Sequence, residues 1–169
     1  MPQKLYDILA VGNAIIDVFS QCSDDFLLQN AIEKGGMNLL DAAASKSLLA
    51  AISSDAPPQF ISGGSAANTA VGLAALGGKA AFVGRVHDDE LGAAFCRDIR
   101  SAGVTFAAVP AKNGAPTASS IILVTPDAAR SMNTFLGASI EFEPEDINLT
   151  AAADAAVIYL EGYLFDAPA

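Results

Sequence analysis

The chain has 169 residues, of which 52% are hydrophobic, and its 9 basic and 19 acidic residues give a formal net charge of -10. This length suits one domain or part of a larger one, with enough apolar residues to build a core. The acidic balance argues against binding to a nucleic acid, because no cluster of Lys or Arg could neutralise a phosphate backbone.

Cysteine usage and hydropathy predict where the protein resides. Cys22 and Cys96 have neither metal-ligand spacing nor a disulfide framework, so we expect free, buried thiols in a reducing compartment. No apolar stretch reaches the roughly 20 residues of a membrane span, and the N-terminus lacks a signal-peptide pattern. The sequence therefore predicts a cytoplasmic protein that binds no membrane.

The first hundred residues alternate apolar strands with helices that start at polar capping residues. The predicted elements are a strand over 5–11 with an extended continuation to Val18, a helix from Asp24 to Ile32, a strand over 37–40, a helix from Asp41 to about Ile52, a strand over 59–64, a helix over 64–76, a strand over 80–86, and a helix capped by Asp88 that runs to Ser101. A strand, a helix and a returning strand form a βαβ unit. Repeated units of this kind predict an α/β fold with a mostly parallel sheet.

The pattern changes between Val104 and Phe135, where strands follow one another without helices between them. Their sequences are VTFAAV, TASSIILV and SMNTF, and a turn at Pro126 and Asp127 separates the last two. This block predicts antiparallel ribbons that form a small β-layer apart from the main sheet. An acidic turn, a short helix and a last buried strand, AAVIYLEGYLF, follow. A core strand so near Ala169 predicts that the sheet continues in sequence beyond this chain.

Asn13 and Asp17 fall on the same side of the extended segment that follows the first strand. In a parallel sheet, the carboxyl ends of the strands border the ligand crevice. A carboxylate can accept hydrogen bonds from two hydroxyls at once, and an amide can donate or accept beside it. This chemistry suits a vicinal diol of a sugar; a turn made of polar residues is the alternative.

A glycine pair, Gly63 and Gly64, precedes the third predicted helix. Glycines here let the backbone approach a ligand and leave the first helical N–H groups free to face it. Steps of four residues lead from Gly64 to Asn68 and Gly72, so this stripe of the helix is either a close packing face or a shelf under a small polar molecule. The absence of a following Lys-Ser or Lys-Thr argues against a phosphate loop, and the glycine spacing does not fit a dinucleotide fingerprint.

Two further groups of residues allow both a functional and a structural interpretation. His87 and the acidic residues at 88–90 could form a metal cluster, but helix capping explains the carboxylates and leaves His87 exposed. Arg130, Met132 and Thr134 share one face of a ribbon strand, where they could close over a ligand or pair across the hairpin.

Several segments together resemble the ribokinase-like (PfkB) carbohydrate kinase family. They are VGNAIID near the start, GGSAANTAVGLAALGGKAAFVGRVHDDELG, the ribbon PTASSIILV with RSMNTFLGA, and VIYLEGYL near the end. They occur in the family's order and cover nearly the whole chain, so that residues 1–169 would be the N-terminal part, about half, of a ribokinase-like kinase domain. The VGN start is closer to the adenosine kinase-like members.

The resemblance implies a mostly parallel sheet with flanking helices and a β-sheet lid, whose strands would lie within 13–20, 36–40 and 104–136. It also implies transfer of the ATP γ-phosphate to the hydroxymethyl group of a sugar or nucleoside. By motif, Asn13 and Asp17 would hold sugar hydroxyls, Gly63 and Gly64 would let the sugar approach, and Asn68 would bind another hydroxyl. Met37, Met132 and Thr134 would belong to the lid, and Tyr163 would line the base or sugar pocket.

The sequence departs from the family in two respects: the second signature, of DTxGAGD type, is absent, and so is the Asn-x-x-Glu segment tied to Mg2+. In the family these supply the catalytic base, the anion hole and most of the ATP site. We therefore assign no catalytic residue in this chain, expect the catalytic base beyond Ala169, and expect the piece alone to be inactive.

Two other possibilities stay open. The alternative to a kinase is a non-catalytic module that binds a sugar or nucleoside. Free strand edges in the lid also leave open a homodimer formed through it.

Overall fold

The computed structural model describes residues 4–52 and 57–165, which form two β-sheets and their flanking helices. The strands are β1 (Tyr6–Val11), β2 (Ile15–Gln21), β3 (Met37–Leu39), β4 (Gln59–Gly63), β5 (Ala80–Val83), β6 (Thr105–Phe106), β7 (Ala118–Val124), β8 (Arg130–Phe135) and β9 (Ala155–Leu160). The α-helices are α1 (Asp24–Gln29), α2 (Ala42–Ala51), α3 (Ser65–Ala75), α4 (Glu90–Ser101) and α5 (Leu149–Ala153). Short 3-10 turns cover Gly137–Glu141, Pro144–Asp146 and Gly162–Phe165.

The first sheet has four strands in the order β6-β5-β1-β9, and all of its pairs are parallel. α4 packs against it through Phe95, whose ring lies 5.9 Å from that of Phe82 in β5 and 5.6 Å from that of Phe106 in β6. All three rings are buried, and such aromatic contacts stabilise a core beyond simple area burial. The predicted α/β fold with a parallel sheet is confirmed.

The second sheet has five strands in the order β3-β8-β7-β2-β4 and is mixed. β2 pairs antiparallel with β4 and β7 with β8, whereas the β2–β7 and β3–β8 pairs are parallel. α2 and α4 cover one face of this sheet, where the Ser45 Oγ lies 3.2 Å from the Ser119 Oγ and Asp98 accepts hydrogen bonds from Ser62. The opposite face is the one that carries Asp17.

Sheet membership differs from the sequence prediction at two strands. β4 was expected to start a βαβ unit, but it pairs antiparallel with β2 in the second sheet, so β4, α3 and β5 connect the two sheets. β6 was expected in the antiparallel block, but it pairs parallel with β5 in the first sheet. An apolar run identifies a strand without identifying its neighbour, because pairing depends on contacts that are distant in sequence.

Two helix boundaries also correct the sequence prediction. α4 begins after Asp89, whose Oδ1 accepts a hydrogen bond from the Gly92 N–H at 2.8 Å, so Asp88 is not the cap. α1 begins after Ser23 and ends at Gln29 rather than Ile32. It ends early because Ala31 adopts a left-handed conformation with a φ of 53°, and the Ile32 N–H then donates to the Leu27 carbonyl oxygen at 2.9 Å.

No helix in the described ranges is long and apolar enough to cross a membrane. Cys22 and Cys96 are both free thiols; Cys96 is buried, as predicted, whereas Cys22 is only partly buried.

Candidate functional site

The two sheets meet where the chain leaves β1 through Gly12 and Asn13 and where it leaves β4 through the glycine pair. A Cβ on Gly63 would lie 2.6 Å from the Asp17 Cγ, and a Cβ on Gly64 would overlap the Asn13 carbonyl oxygen. Gly64 also has a φ of 96°, a conformation that side chains disfavour. The structure therefore brings these four predicted residues into contact, and the glycines make room for Asn13 and Asp17.

Asp17 lies in β2, partly buried, and its carboxylate makes no hydrogen bond or ion pair with any other described residue. Burial raises the pKa of this carboxyl from 3.8 to about 6, because desolvation disfavours the charged form. A ligand that donates hydrogen bonds to this carboxylate would offset the free-energy cost of its desolvation.

Two more acceptor groups without partners lie beside this junction. Asn13 and Glu161 are each 7% exposed, and the Oδ1 of Asn13 and both carboxylate oxygens of Glu161 have no hydrogen-bond partner among the described residues. Glu161 follows β9 and contacts the end of β1, since a Cβ on Gly12 would lie 3.0 Å from the Glu161 Cγ. Buried acceptors without donors cost free energy, so the junction is suited to a ligand rich in hydroxyl groups.

Glu161 is a candidate site residue to which the sequence analysis assigned no role. A usable signal was present, because Glu161 directly follows the apolar strand β9, at the edge where ligands of parallel sheets bind. Its burial beside Gly12 depends on the β1–β9 pairing, which the sequence does not reveal.

The catalytic base itself was expected in sequence beyond Ala169. Ala169 lies outside the described residues, which end at Phe165, so the structure assigns no position to that residue or to anything after it. The expectation of a catalytic base beyond Ala169 stays a prediction.

Three predicted lid residues lie on the face of the second sheet that carries Asp17, which we call the open face. The strand register aligns one row across this face, Leu39, Thr134, Ser120, Asp17 and Ile61, and a second row, Met37, Met132, Ile122, Phe19 and Gln59. Thr134 is buried and its hydroxyl lies 2.9 Å from that of Ser120, whereas Met37 is 65% exposed. The open face thus places a polar row through Asp17 beside a largely apolar row.

Asn68 and Tyr163 lie further from these contacts. Asn68 is exposed one turn into α3, where its N–H donates to the Gly64 carbonyl oxygen at 2.8 Å, and Tyr163 is exposed in the 3-10 turn after β9. A Cβ on Gly72 would meet no heavy atom within 4 Å among the described residues, so the Gly64–Asn68–Gly72 stripe packs closely at Gly64 but is open at Asn68 and Gly72. The alternative, a shelf under a polar molecule, stays a prediction.

The residues around His87 do not form a metal site. Within residues 4–52 and 57–165, no group of three or more His, Cys, Asp or Glu side chains could hold a metal ion. The acidic segment does cap α4, through Asp89. His87 was expected to be exposed, but it is only partly exposed and its Nδ1 is buried. Arg130 lies opposite Val124 across the β7–β8 hairpin.

Comparison with known proteins finds similarity to kinases of sugars and nucleosides. The profile of the family described as "pfkB family carbohydrate kinase" matches residues 26–169. A solved structure described as a probable sugar kinase protein from Rhizobium etli CFN 42 is 49% identical with a TM-score of 0.84, over 98% of this chain and 49% of its own. Adenosine kinase from Sinorhizobium meliloti is 49% identical with a TM-score of 0.82, over 97% of this chain and 49% of its own.

Among curated proteins, probable fructokinase-4 of Arabidopsis thaliana is 32% identical over 106 residues, which are 60% of this chain and 32% of that protein. The chain therefore spans about half the length of the two bacterial structures and matches about a third of the plant protein.

Proposed function

Because the chain belongs to the pfkB family of carbohydrate kinases, we propose that it carries the acceptor-binding part of an ATP-dependent kinase. The parent enzyme would transfer the γ-phosphate of ATP to the hydroxymethyl group of a sugar or nucleoside. The observation that supports this most directly is the set of acceptor groups at the strand junction, where Asp17, Asn13 and Glu161 lack hydrogen-bond donors among the described residues.

In this proposal, Asp17 and Asn13 hold sugar hydroxyls, and Glu161 accepts a hydrogen bond from a further hydroxyl. Asn68 binds another hydroxyl beside the glycine pair, because the open stripe of α3 leaves its amide accessible. Enzymes that transfer phosphoryl groups work mainly by positioning their reactants and by stabilising charge. The contribution of this part of the enzyme is to orient the acceptor and, through the lid, to keep water from it.

We propose a nucleoside rather than a free sugar as the acceptor. Met37, Met132 and Phe19 lie in the row next to Asp17, where they offer apolar surface to a flat base while Asp17 holds the sugar. A small polyol has no group that would use this surface. The similarity to an adenosine kinase at 49% identity supports this choice, whereas the plant relative is described as a probable fructokinase. Tyr163 lines the base or sugar pocket in the same proposal.

ATP and Mg2+ belong to the proposal for the whole enzyme only. The described residues offer no group of three acidic, His or Cys side chains that could hold a metal ion, so they do not fit the Mg2+ site. We propose that the Mg2+ site, the ATP phosphate site and the catalytic base lie in sequence beyond Ala169; this chain spans 49% of each bacterial structure. The free thiols fit a reducing, cytoplasmic location.

The test is the incubation of the full-length gene product with ATP, Mg2+ and a panel of ribonucleosides and sugars, with phosphate transfer followed by 31P NMR. We expect a new phosphomonoester on the hydroxymethyl group of a nucleoside. Transfer to no member of the panel would overturn the kinase assignment, and retained binding in that case would support the non-catalytic binding module. Transfer to free sugars alone would overturn the nucleoside assignment.

A further inference from the structure

Two carboxylates connect helix α4 to the second sheet: Asp89 at its N-cap and Asp98 within the helix. Phe95 anchors the same helix in the first sheet. Asp98 accepts hydrogen bonds from the Ser62 N–H and the Ser62 hydroxyl, both at 2.7 Å. Asp89 accepts from the Thr117 hydroxyl at 2.7 Å and from the Thr117 N–H at 2.9 Å. Each carboxylate thus holds both the backbone and the side chain of one hydroxyl residue.

The two hydroxyl residues belong to the strands on either side of β2. Ser62 lies in β4 and Thr117 directly precedes β7, and the order β7-β2-β4 places the Asp17 strand between them. In register, Ile15 of β2 lies opposite both Gly63 and Ala118, each adjacent to one of the held residues. The contacts therefore lie at the end of β2 that adjoins the Asn13 and Gly64 junction.

Helix formation alone does not account for these contacts. The role of Asp89 as N-cap explains its bond from the Gly92 N–H but not its two bonds from Thr117, and Asp98 lies inside α4, where no cap is needed. The approach is also close: a Cβ on Gly92 would lie 2.9 Å from the Thr117 Oγ1. Hydrogen bonds to an ionised acceptor are about twice as strong as neutral ones, which makes both carboxylates effective anchors.

We propose that Asp89 and Asp98 are positioning residues that brace β7 and β4 against α4 and thereby fix Asp17 and Asn13 relative to the first sheet. As an account of acceptor binding, this rests on the proposed function. The brace itself is a property of the chain that can be measured without acceptor or ATP, so its failure and the failure of the kinase assignment can be told apart.

The test compares Asp89→Asn and Asp98→Asn with the matched control Asp88→Asn, which removes the same charge from an exposed side chain with no hydrogen bond among the described residues. Asn keeps the size and can still cap a helix, but its NH2 group cannot accept a hydrogen bond. The readouts in the 169-residue chain are amide hydrogen exchange and a 13C NMR titration of the Asp17 carboxyl.

We expect both Asn variants to speed exchange of the β2, β4 and β7 amides at least about tenfold, while the β1 and β5 amides change little. The pKa of Asp17 should fall towards its ordinary value, because β2 becomes more open to water. The Asp88→Asn control should match the wild type. Equal acceleration in both sheets, or variants that behave like the control, would overturn the proposal.

Milder variants cover the case in which an Asn variant fails to fold. Ser62→Ala removes one of the two bonds to Asp98 and should give a smaller effect of the same kind, whereas Thr117→Ser keeps its hydroxyl and should retain wild-type exchange. In the full-length gene product, Asp98→Asn should raise the KM for the acceptor about tenfold and leave the KM for ATP unchanged. A rise in both constants, or in neither, would contradict a positioning role.

Discussion

At the scale of single residues, the partly buried carboxylate of Asp17 is costly to the fold and useful to the proposed site. It has no partner within the described residues, and burial alone raises its pKa to about 6. A neutral side chain at this position would avoid the desolvation cost and make the folded chain more stable. A ligand with two hydroxyl donors offsets the desolvation cost, which is why an acceptor site accounts for Asp17 better than a structural role does.

The raised pKa gives a prediction of stability against pH. The folded chain holds the Asp17 proton up to about pH 6 and the unfolded chain only to 3.8. The free energy of unfolding should therefore fall as the pH rises through this window. Asp17→Asn lacks the penalty and should be more stable than the wild type by about 1–2 kcal/mol at pH 7, allowing for partial solvent screening. Urea unfolding at pH 4 and pH 7 measures this; a variant less stable at pH 7 would contradict the account.

Gly63 and Asp17 should be coupled, because a Cβ on Gly63 would lie 2.6 Å from the Asp17 Cγ. Gly63→Ala should destabilise the chain by about 1–3 kcal/mol by overpacking. In an Asp17→Ala background, the carboxylate is gone and most of that cost should disappear. A double-mutant cycle of unfolding free energies gives the coupling, and a value near zero would argue against the contact.

At the scale of the elements, the start of α3 depends on the backbone conformation of Gly64. Gly64→Ala should cost at least about 2 kcal/mol, because its φ of 96° is strained for Ala and its Cβ would overlap the Asn13 carbonyl oxygen. Gly72→Ala is the control: it lies inside α3 with open space around it and should stabilise the chain by about 0.5–1 kcal/mol. Thermal unfolding measures both; equal effects would show that helix propensity alone governs these positions.

Most elements could be predicted from the sequence, because their signals are local. Asp41 was predicted to cap α2, and its Oδ1 accepts from the Ala44 N–H at 2.8 Å. The errors arose where a choice depends on tertiary structure. Asp88 and Asp89 are equally good caps in sequence, and the bonds from Thr117 favour Asp89. The sheet to which β4 and β6 belong is likewise decided by distant partners.

The same distinction applies to the candidate site. Asn13 and Asp17 were predictable because their spacing and their place after β1 are visible in the sequence. For Glu161 the sequence shows only its place after β9, because its burial at the site depends on the β1–β9 pairing. The place of Ser120 in the row through Asp17 likewise depends on the alignment of β7 with β2. The role expected of the glycine pair, to let a ligand approach the backbone, stays a prediction. The structure shows a different reason for the pair, because both glycines leave room for the Asp17 side chain and the Asn13 backbone.

At the scale of the whole molecule, β9 forms one edge of the first sheet, and apolar side chains of this strand are exposed. Three apolar side chains of this strand are each more than half exposed: Val157, Ile158 and Leu160. An exposed apolar edge strand of this kind can pair with a further strand. The prediction that the sheet continues beside β9, in sequence beyond Ala169, agrees with this surface and stays a prediction.

The exposed edge predicts that the 169-residue chain self-associates as its concentration rises. Val157→Lys should reduce this association, because a lysine on an edge strand opposes strand addition. Leu76→Lys, at an exposed position after α3, is the control and should have no effect. Sedimentation velocity measures the association. If Met37→Lys on the open face reduces it and Val157→Lys does not, the contact is instead a homodimer through the lid.

In the proposed function, Asp17 holds the acceptor of a kinase reaction. The most direct measurement is kcat/KM for the acceptor in the full-length gene product, compared between the wild type and Asp17→Asn. Loss of two charge-assisted hydrogen bonds, about 3–5 kcal/mol, should lower kcat/KM by on the order of 10²–10⁴-fold, while the variant stays folded and keeps its KM for ATP. An Asp17→Asn enzyme with wild-type kcat/KM for the acceptor would contradict the claim.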